Sequence, residues 1–124
     1  MWRGLTFVVA VVLLFAFVQS QATTQSSAKV YVVADITVHD PDTFGQYRHQ
    51  VADIIREFGG RYLIRAGNLQ FDGDSGDTVR AAGGDWNPDR FIVLEFDSEE
   101  KVRAFFESEE YLKVSSLRTG SATT

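Results

Sequence analysis

Three charged residues, each in a different predicted strand, could act together on a polar substrate. Asp35, Arg65 and Glu95 occupy the same side of their strands by alternation, the side turned away from the predicted helices. Carboxylates held beside an arginine in an apolar cavity can bind a polar molecule or exchange protons with it. The alternative is an ion-pair network that fixes strand register, since structural pairs perturb charges in the same way.

Two aromatic residues are predicted to belong to the same site. Tyr31 shares a strand face with Asp35, and Trp86 precedes the third strand, where it could cover a pocket mouth. The alternative for Trp86 is to anchor a turn, because large aromatic side chains mostly serve packing. Tyr47 falls on the apolar stripe of a helix, which favours a role in the core.

Metal and cofactor chemistry find little support in the sequence. The chain has no cysteine, which excludes disulfides, thiolate metal sites and cysteine nucleophiles. His39 and His49 are scattered, and two such histidines make a poor metal site. The spacing of acidic residues in the glycine-rich loop at 67–84 misses the calcium-binding pattern, which predicts a solvated acidic loop. No dinucleotide or phosphate-binding glycine motif occurs, so we predict no metal and no cofactor.

Composition limits the function classes further. The chain has 124 residues, which favours one domain, and a net charge of −5. Nucleic-acid binding requires concentrated lysine and arginine, and the sequence has no basic cluster. We therefore expect no nucleic-acid partner.

The first 22 residues are typical of a secretory signal peptide. Arg3 is followed by a fourteen-residue run, Leu5–Val18, without a charge. This run is shorter than the about 20 residues of a membrane-spanning helix, and small residues precede a cleavage site after Ala22. The prediction is a secreted or periplasmic protein with a linker at 23–28; the alternative is an uncleaved membrane anchor.

The remaining chain predicts strands and helices in the order β-α-β-β-α. Alternation and β-branched residues indicate strands, and an Asp40-Pro41 cap followed by an apolar stripe indicates a helix that ends at Gly59-Gly60. Asp97 begins the second helix. The predicted strands are Lys29–Val38, Arg61–Ala66 and Arg90–Phe96.

This order predicts a ferredoxin-like α+β fold, an antiparallel sheet with helices on one face and the final strand missing or atypical. The domain is predicted to span 29–118, with 119–124 as a tail. The strands are apolar on both faces, so a second copy is expected to cover the face that the helices leave bare. A homodimer would enclose a lumen for a small molecule.

Four segments resemble, in order, the domain-of-unknown-function family numbered 1330. They are VHDPDTFGQYRHQV, FGGRYLIRAG, GDWNPDRFIVLEFDS and FFESEEYLKVSSLR, and the resemblance covers Lys29 to Arg118. It implies the dimeric α+β barrel superfamily, in which two ferredoxin-like subunits join through their sheets. The chain departs from the family pattern in its export signal, its longer loop at 67–84 and its missing last strand.

The resemblance leaves the activity open, because the family has no settled biochemical role and fold does not decide function. The superfamily includes cofactor-independent monooxygenases, isomerases and ligand-binding proteins. We therefore expect an exported homodimer that binds a small molecule in the lumen. The alternatives are a cofactor-independent monooxygenase or isomerase acting through Asp35, Arg65 and Glu95, and a membrane-tethered structural protein.

Overall fold

A computed structural model describes residues 28–74 and 76–124 of the chain. The predicted signal peptide and all but the last residue of the linker lie outside the described residues. The chain contains the elements β1 (Val30–Val38), α1 (Pro41–Glu57), β2 (Arg61–Ala66), β3 (Arg90–Phe96), α2 (Glu99–Glu107), α3 (Glu109–Ser121) and β4 (Ala122–Thr123).

The four strands form one antiparallel sheet in the order β2-β3-β1-β4. All three helices pack on one face of it, which we call the helix face. The core there joins side chains from α1, β3, α2 and α3, namely Val51, Ile54, Ile55, Leu94, Phe96, Phe105, Tyr111 and Val114. The predicted α+β fold is confirmed, with β3 between β1 and β2.

Side-chain caps set where each helix begins. The Asp40 carboxylate accepts a hydrogen bond from the Thr43 backbone N–H, and Pro41 is the first helical residue of α1. The Thr43 hydroxyl also donates to Asp40, and these hydrogen bonds lower the pKa of that carboxyl. Ser98 and Ser108 cap α2 and α3 in the same way.

The end of the chain differs from the tail that is predicted at residues 119–124. Helix α3 continues to Ser121, and Ala122 and Thr123 then pair with the end of β1 as a two-residue β4. The Ser121 carbonyl accepts hydrogen bonds from the backbone N–H groups of His39 and Asp40. The last strand is therefore present but very short, and residues 119–124 belong to the folded domain.

A β-bulge at Leu63 changes which residues of β2 face the helices. Tyr62 pairs with Leu94, but Ile64 pairs with Val93, so the register shifts by one residue. A one-residue slip moves every later side chain of a strand to the opposite face. Strict alternation therefore holds for β1 and β3 and fails in the second half of β2.

The sheet face opposite the helices, which we call the outer face, carries large apolar side chains in contact with solvent. Tyr31 is 53% exposed, Val33 is 61% exposed and Leu63 is 44% exposed. Phe91 and Val93 of β3 lie on the same face by their pairing with β1. An apolar sheet face of this kind is typical of an interaction surface.

Across 28–74 and 76–124, no helix has both the length and the apolar character needed to cross a membrane.

Candidate functional site

The predicted trio of charges is divided between the two faces of the sheet. Asp35 pairs with Phe91 and Glu95 pairs with Tyr31, which places both carboxylates on the outer face. Arg65 pairs with Ile92, a residue packed against the core, and therefore lies on the helix face. Its guanidinium stands 4.4 Å from the centroid of the Tyr62 ring. The prediction that Arg65 shares a face with the carboxylates was wrong, because the bulge at Leu63 reverses alternation before it.

Asp35 and Trp86 do come together, at one end of the outer face. The Trp86 indole Nε1–H donates to Asp35 Oδ2 at 2.6 Å. The Trp86 ring also packs edge-on against Phe91, with centroids 5.2 Å apart and an interplanar angle of 89°. Trp86 therefore anchors the end of the long loop to the sheet. Whether it also covers a bound ligand stays a prediction.

Glu95 lies at the other end of the outer face and has its own cationic partners. It forms an ion pair with Arg61, and Lys29 Nζ lies 3.5 Å from Glu95 Oε1. Its strand neighbour Tyr31 is four residues from Asp35, which separates the two carboxylates by about 13 Å along the sheet. That distance is too large for both to act on one bond of a substrate. Their roles in binding or catalysis stay predictions.

A cavity of ≈180 Å³ lies on the helix face, between the sheet and the helices. Its walls are mainly apolar side chains from β1, β3, α1 and α2, including Val32, Ile36, Phe44, Val51, Ile92, Leu94 and Phe105. Its polar groups come from Tyr47, Tyr111, Thr124 and three arginines, which are Arg48, Arg90 and Arg118. A mostly apolar cavity with a few convergent polar groups is the usual form of a small-molecule site.

Two other concavities are wider but less enclosed by buried side chains. One of ≈570 Å³ lies among the loop residues 67–88 and includes Trp86, and one of ≈630 Å³ lies beside the start of α2. Most of their lining residues are exposed to solvent. The helix-face cavity is therefore the better candidate for holding an apolar molecule.

The three arginines of the helix-face cavity share one feature. The Nε atoms of Arg48, Arg90 and Arg118 are buried and have no hydrogen-bond partner. Buried polar groups are almost always hydrogen-bonded in native proteins. It is therefore unusual that three of the residues that line one cavity each have a buried N–H donor without a hydrogen-bond partner.

Arg90 is held by the long loop through a fully buried ion pair. Its Nη1 lies 2.7 Å from Asp74 Oδ2, its Nη2 lies 3.1 Å from Asp74 Oδ1, and Nη1 also donates to the Leu69 carbonyl. The Arg90 side chain is 0% exposed and that of Asp74 is 3% exposed. Burial alone would raise the pKa of Asp74, but its hydrogen bonds with Arg90 and with the Phe71 backbone N–H lower it below the ordinary value.

The prediction that the acidic residues of the loop are solvated is therefore wrong for Asp74, whose side chain is buried. Phe71 also links the loop to the cavity, because its ring packs against the ring of Phe44. The guanidinium groups of Arg48 and Arg90 lie over the Phe71 ring, each about 5 Å from the ring centroid. These contacts attach the part of the loop from Leu69 to Asp74 to the cavity wall.

Two tyrosines add hydroxyl groups to the cavity. Tyr47 and Tyr111 lie close together in the core, and burial, followed by the proximity of Tyr111, raises the pKa of Tyr47 far above its ordinary range. The Tyr47 phenol therefore stays protonated at all physiological pH values. Tyr47 also packs in the core, as the helix stripe predicts.

Metal binding finds no site in the described part of the chain. No group of three or more histidine, cysteine, aspartate or glutamate side chains there could hold an ion. His39 Nε2 lies 2.8 Å from Thr123 Oγ1, which ties β4 to the β1–α1 connection.

The sequence analysis did not identify the three arginines that line the cavity, although the position of Arg90 in β3 indicates a buried charge. Arg90 begins the apolar run of β3 and by alternation shares the core face with Ile92 and Leu94. A charge at such a position must find a buried partner. Arg48 and Arg118 carry no comparable signal, since each lies in a helix whose register against the sheet the sequence does not define.

Comparisons with known proteins agree with this fold. A family model described as "Domain of unknown function (DUF1330)" matches residues 29–124. No curated protein matches the sequence. Among solved structures, RPA0582, a protein of unknown function from Rhodopseudomonas palustris, aligns with a TM-score of 0.57 at 11% identity, over 77% of this chain and 75% of that chain. The methylated form of that protein gives 0.56 at 11% identity, over 77% and 74%.

Proposed function

This chain belongs to the domain-of-unknown-function family 1330, and we propose that it binds a small, mainly apolar molecule in the cavity between the sheet and the helices. The observation that supports this most directly is the cavity itself, ≈180 Å³ of space behind largely buried apolar walls. An apolar cavity of about 150 Å³ is already large enough for a benzene ring. A ligand with one ring or a short branched chain is therefore the appropriate size.

The proposed site lies within one chain and not in a lumen between two copies. The lumen would require polar groups that converge on the outer face, but Asp35 and Glu95 lie at opposite ends of that face and each has a partner of its own. Arg65 lies on the other side of the sheet. The enzymatic alternative loses its geometric basis for the same reason, and the proposal is limited to binding.

Filling the cavity should weaken ligand binding. Ala34 lines it from β1, and Ala34→Leu would place a larger side chain in the space that the ligand needs. We expect the affinity for a neutral probe such as phenylacetamide, measured by isothermal titration calorimetry, to fall at least about tenfold, since burying apolar groups of the ligand supplies most of its binding energy. Ala34→Val should give a smaller loss.

The matched control is Ala104→Leu, which adds the same atoms at an exposed position of α2 outside the cavity. It should bind the probe as the unchanged protein does. Equal binding by Ala34→Leu, in a variant whose circular dichroism shows that it is folded, would place the ligand elsewhere and refute the proposal.

We also propose that the outer face joins two copies of the chain. Its exposed Tyr31, Val33 and Leu63 form an apolar surface, and charges of both signs border it, with Arg61 beside Glu95 and Asp35 at the other end. A surface that carries both signs can be complementary to itself across a two-fold axis. The resemblance to the dimeric barrel superfamily supports the same arrangement.

Export is the third part of the proposal. The apolar run after Arg3 and the small residues before Thr23 support a signal peptide cleaved after Ala22. Sequencing the N-terminus of protein recovered outside the cytoplasm should give Thr23 as the first residue. A chain that begins at residue 1 or 2 and stays with the membrane fraction would support the tethered alternative instead.

A further inference from the structure

We propose that the ligand of the helix-face cavity is a small hydrophobic carboxylate whose acidic group is bound by Arg118 and Arg48. This inference rests on the proposed function, because it names the chemical class of the molecule that the cavity holds. It is carried by the charges and the unpaired donors around an otherwise apolar space.

The charge around the cavity is unbalanced. Asp74 is the counter-ion of Arg90 and also attracts Arg48, but no carboxylate of the described residues lies within 4 Å of a guanidinium nitrogen of Arg48 or Arg118. Both arginines are partly buried. A cation withdrawn from water is costly unless a negative charge compensates it. A bound anion would supply that charge in a protein that is acidic as a whole.

The free donors have the arrangement that a carboxylate requires. Arg118 Nη1 donates to Thr124 Oγ1 at 2.8 Å, and neither Nη2 nor the buried Nε makes a hydrogen bond to a described residue, so a carboxylate that displaces the atoms covering Nε would meet two parallel N–H groups. Two parallel N–H groups along one edge of a guanidinium match the two oxygens of a carboxylate. Arg48 uses Nη2 for the Asp72 carbonyl, and its buried Nε is a further donor without a partner.

The rest of the lining determines what is attached to the acidic group. Phosphate or sulfate would fill the space with charge against apolar walls such as Ile36, Phe44 and Ile92. A carboxylate on a ring or short chain places its apolar body there and only one charged group beside the arginines. The cavity volume of ≈180 Å³ limits that body to about one ring.

Two probes of nearly equal shape test the charge directly. Phenylacetate and phenylacetamide differ mainly in the negative charge, and both can be titrated into the intact protein by calorimetry at low salt. We expect phenylacetate to bind at least about tenfold more tightly, because hydrogen bonds to a charged group are stronger than neutral ones. Equal affinities, or tighter binding of the amide, would overturn the inference while leaving the proposed function in place. If neither probe binds, the proposed function fails as well.

Removing a single cavity arginine should erase the preference for the acid. In Arg118→Met we expect the affinity for phenylacetate to fall at least about tenfold and the affinity for phenylacetamide to stay within about twofold. Arg118→Lys keeps the charge but lacks the planar fork, so it should be intermediate and provides a second test if the methionine variant does not fold.

The matched control is Arg103→Met, because Arg103 lies on α2, outside the cavity, in an exposed pair with Glu99. It should bind both probes as the unchanged protein does. If Arg118→Met and Arg118→Lys both bind phenylacetate with undiminished affinity, Arg118 does not hold the acidic group and the inference is refuted.

Discussion

Asp74→Ala should lower the free energy of unfolding by about 3–5 kcal/mol, because it leaves the buried charge of Arg90 without its counter-ion. The Arg90 side chain is 0% exposed, and without Asp74 its remaining protein hydrogen bond is the one to the Leu69 carbonyl. The backbone N–H of Phe71 would lose its acceptor at the same time. Urea unfolding followed by circular dichroism measures the loss.

The control lies two residues away in the same loop. Asp72 is exposed, and its recorded hydrogen bond to Arg48 uses the backbone carbonyl, which Asp72→Ala retains. That variant should stay within about 0.5 kcal/mol of the unchanged protein. If Asp72→Ala and Asp74→Ala are equally stable, the buried pair does not contribute as the structure indicates.

A double replacement separates the cost of an unpaired charge from the loss of the interaction. Asp74→Leu combined with Arg90→Met removes both charges and puts apolar side chains in their place. Such a core should be more stable than Asp74→Ala alone, because no buried charge is left uncompensated. A double variant as unstable as the single one would mean that the loop anchorage, and not the charge, carries the effect.

The same pair makes the protein sensitive to acid. The pKa of Asp74 is lowered in the folded state, so its contribution to stability is fully present above the unfolded aspartate pKa of about 3.9 and is lost as pH falls through the folded value. In Asp74→Asn this part of the acid dependence should disappear, and unfolding midpoints should fall less steeply below about pH 4. Some dependence should remain, since the pKa values of Asp40 and Asp97 are lowered too.

The elements that the sequence predicted well are those with strong local signals. The start of α1 at Asp40-Pro41 and the alternation of β1 depend only on neighbouring residues, and the structure has both. Glycine ends α1 because the backbone at Gly59 has a φ of 79°, which glycine adopts without strain. Predictions of this kind need no knowledge of the rest of the chain.

The prediction of the candidate site was wrong for Arg65, because it assumed strict alternation along the whole of β2. The bulge at Leu63 has no glycine or proline to mark it, and it moves Arg65 to the helix face. The Arg90–Asp74 pair joins residues sixteen apart through a loop without periodicity, so no local pattern could reveal it. The polar end of α3 resembled a tail because its packing against α1 is also a long-range property.

Val33→Arg should convert the protein from a dimer to a monomer. Val33 is 61% exposed in the single chain and lies at the middle of the outer face, paired with Val93. In a two-fold interface the substitution occurs on both sides, so two arginines would be buried in an apolar contact without partners. Light scattering coupled to size exclusion should give twice the 13.9 kDa chain mass, less any cleaved signal peptide, for the unchanged protein and the single mass for Val33→Arg.

The comparison that makes this result interpretable is Leu112→Arg. Leu112 is 58% exposed, nearly the same as Val33, but it lies on α3, away from the outer face. A new charge at an exposed position changes the stability of the single chain little, so both variants should fold and only Val33→Arg should dissociate. If the unchanged protein is monomeric at about millimolar concentration, or if Val33→Arg still dimerises, the outer face is not the interface. Because Val33 is also among the residues that line the helix-face cavity, ligand binding is tested by Ala34→Leu and not by this variant.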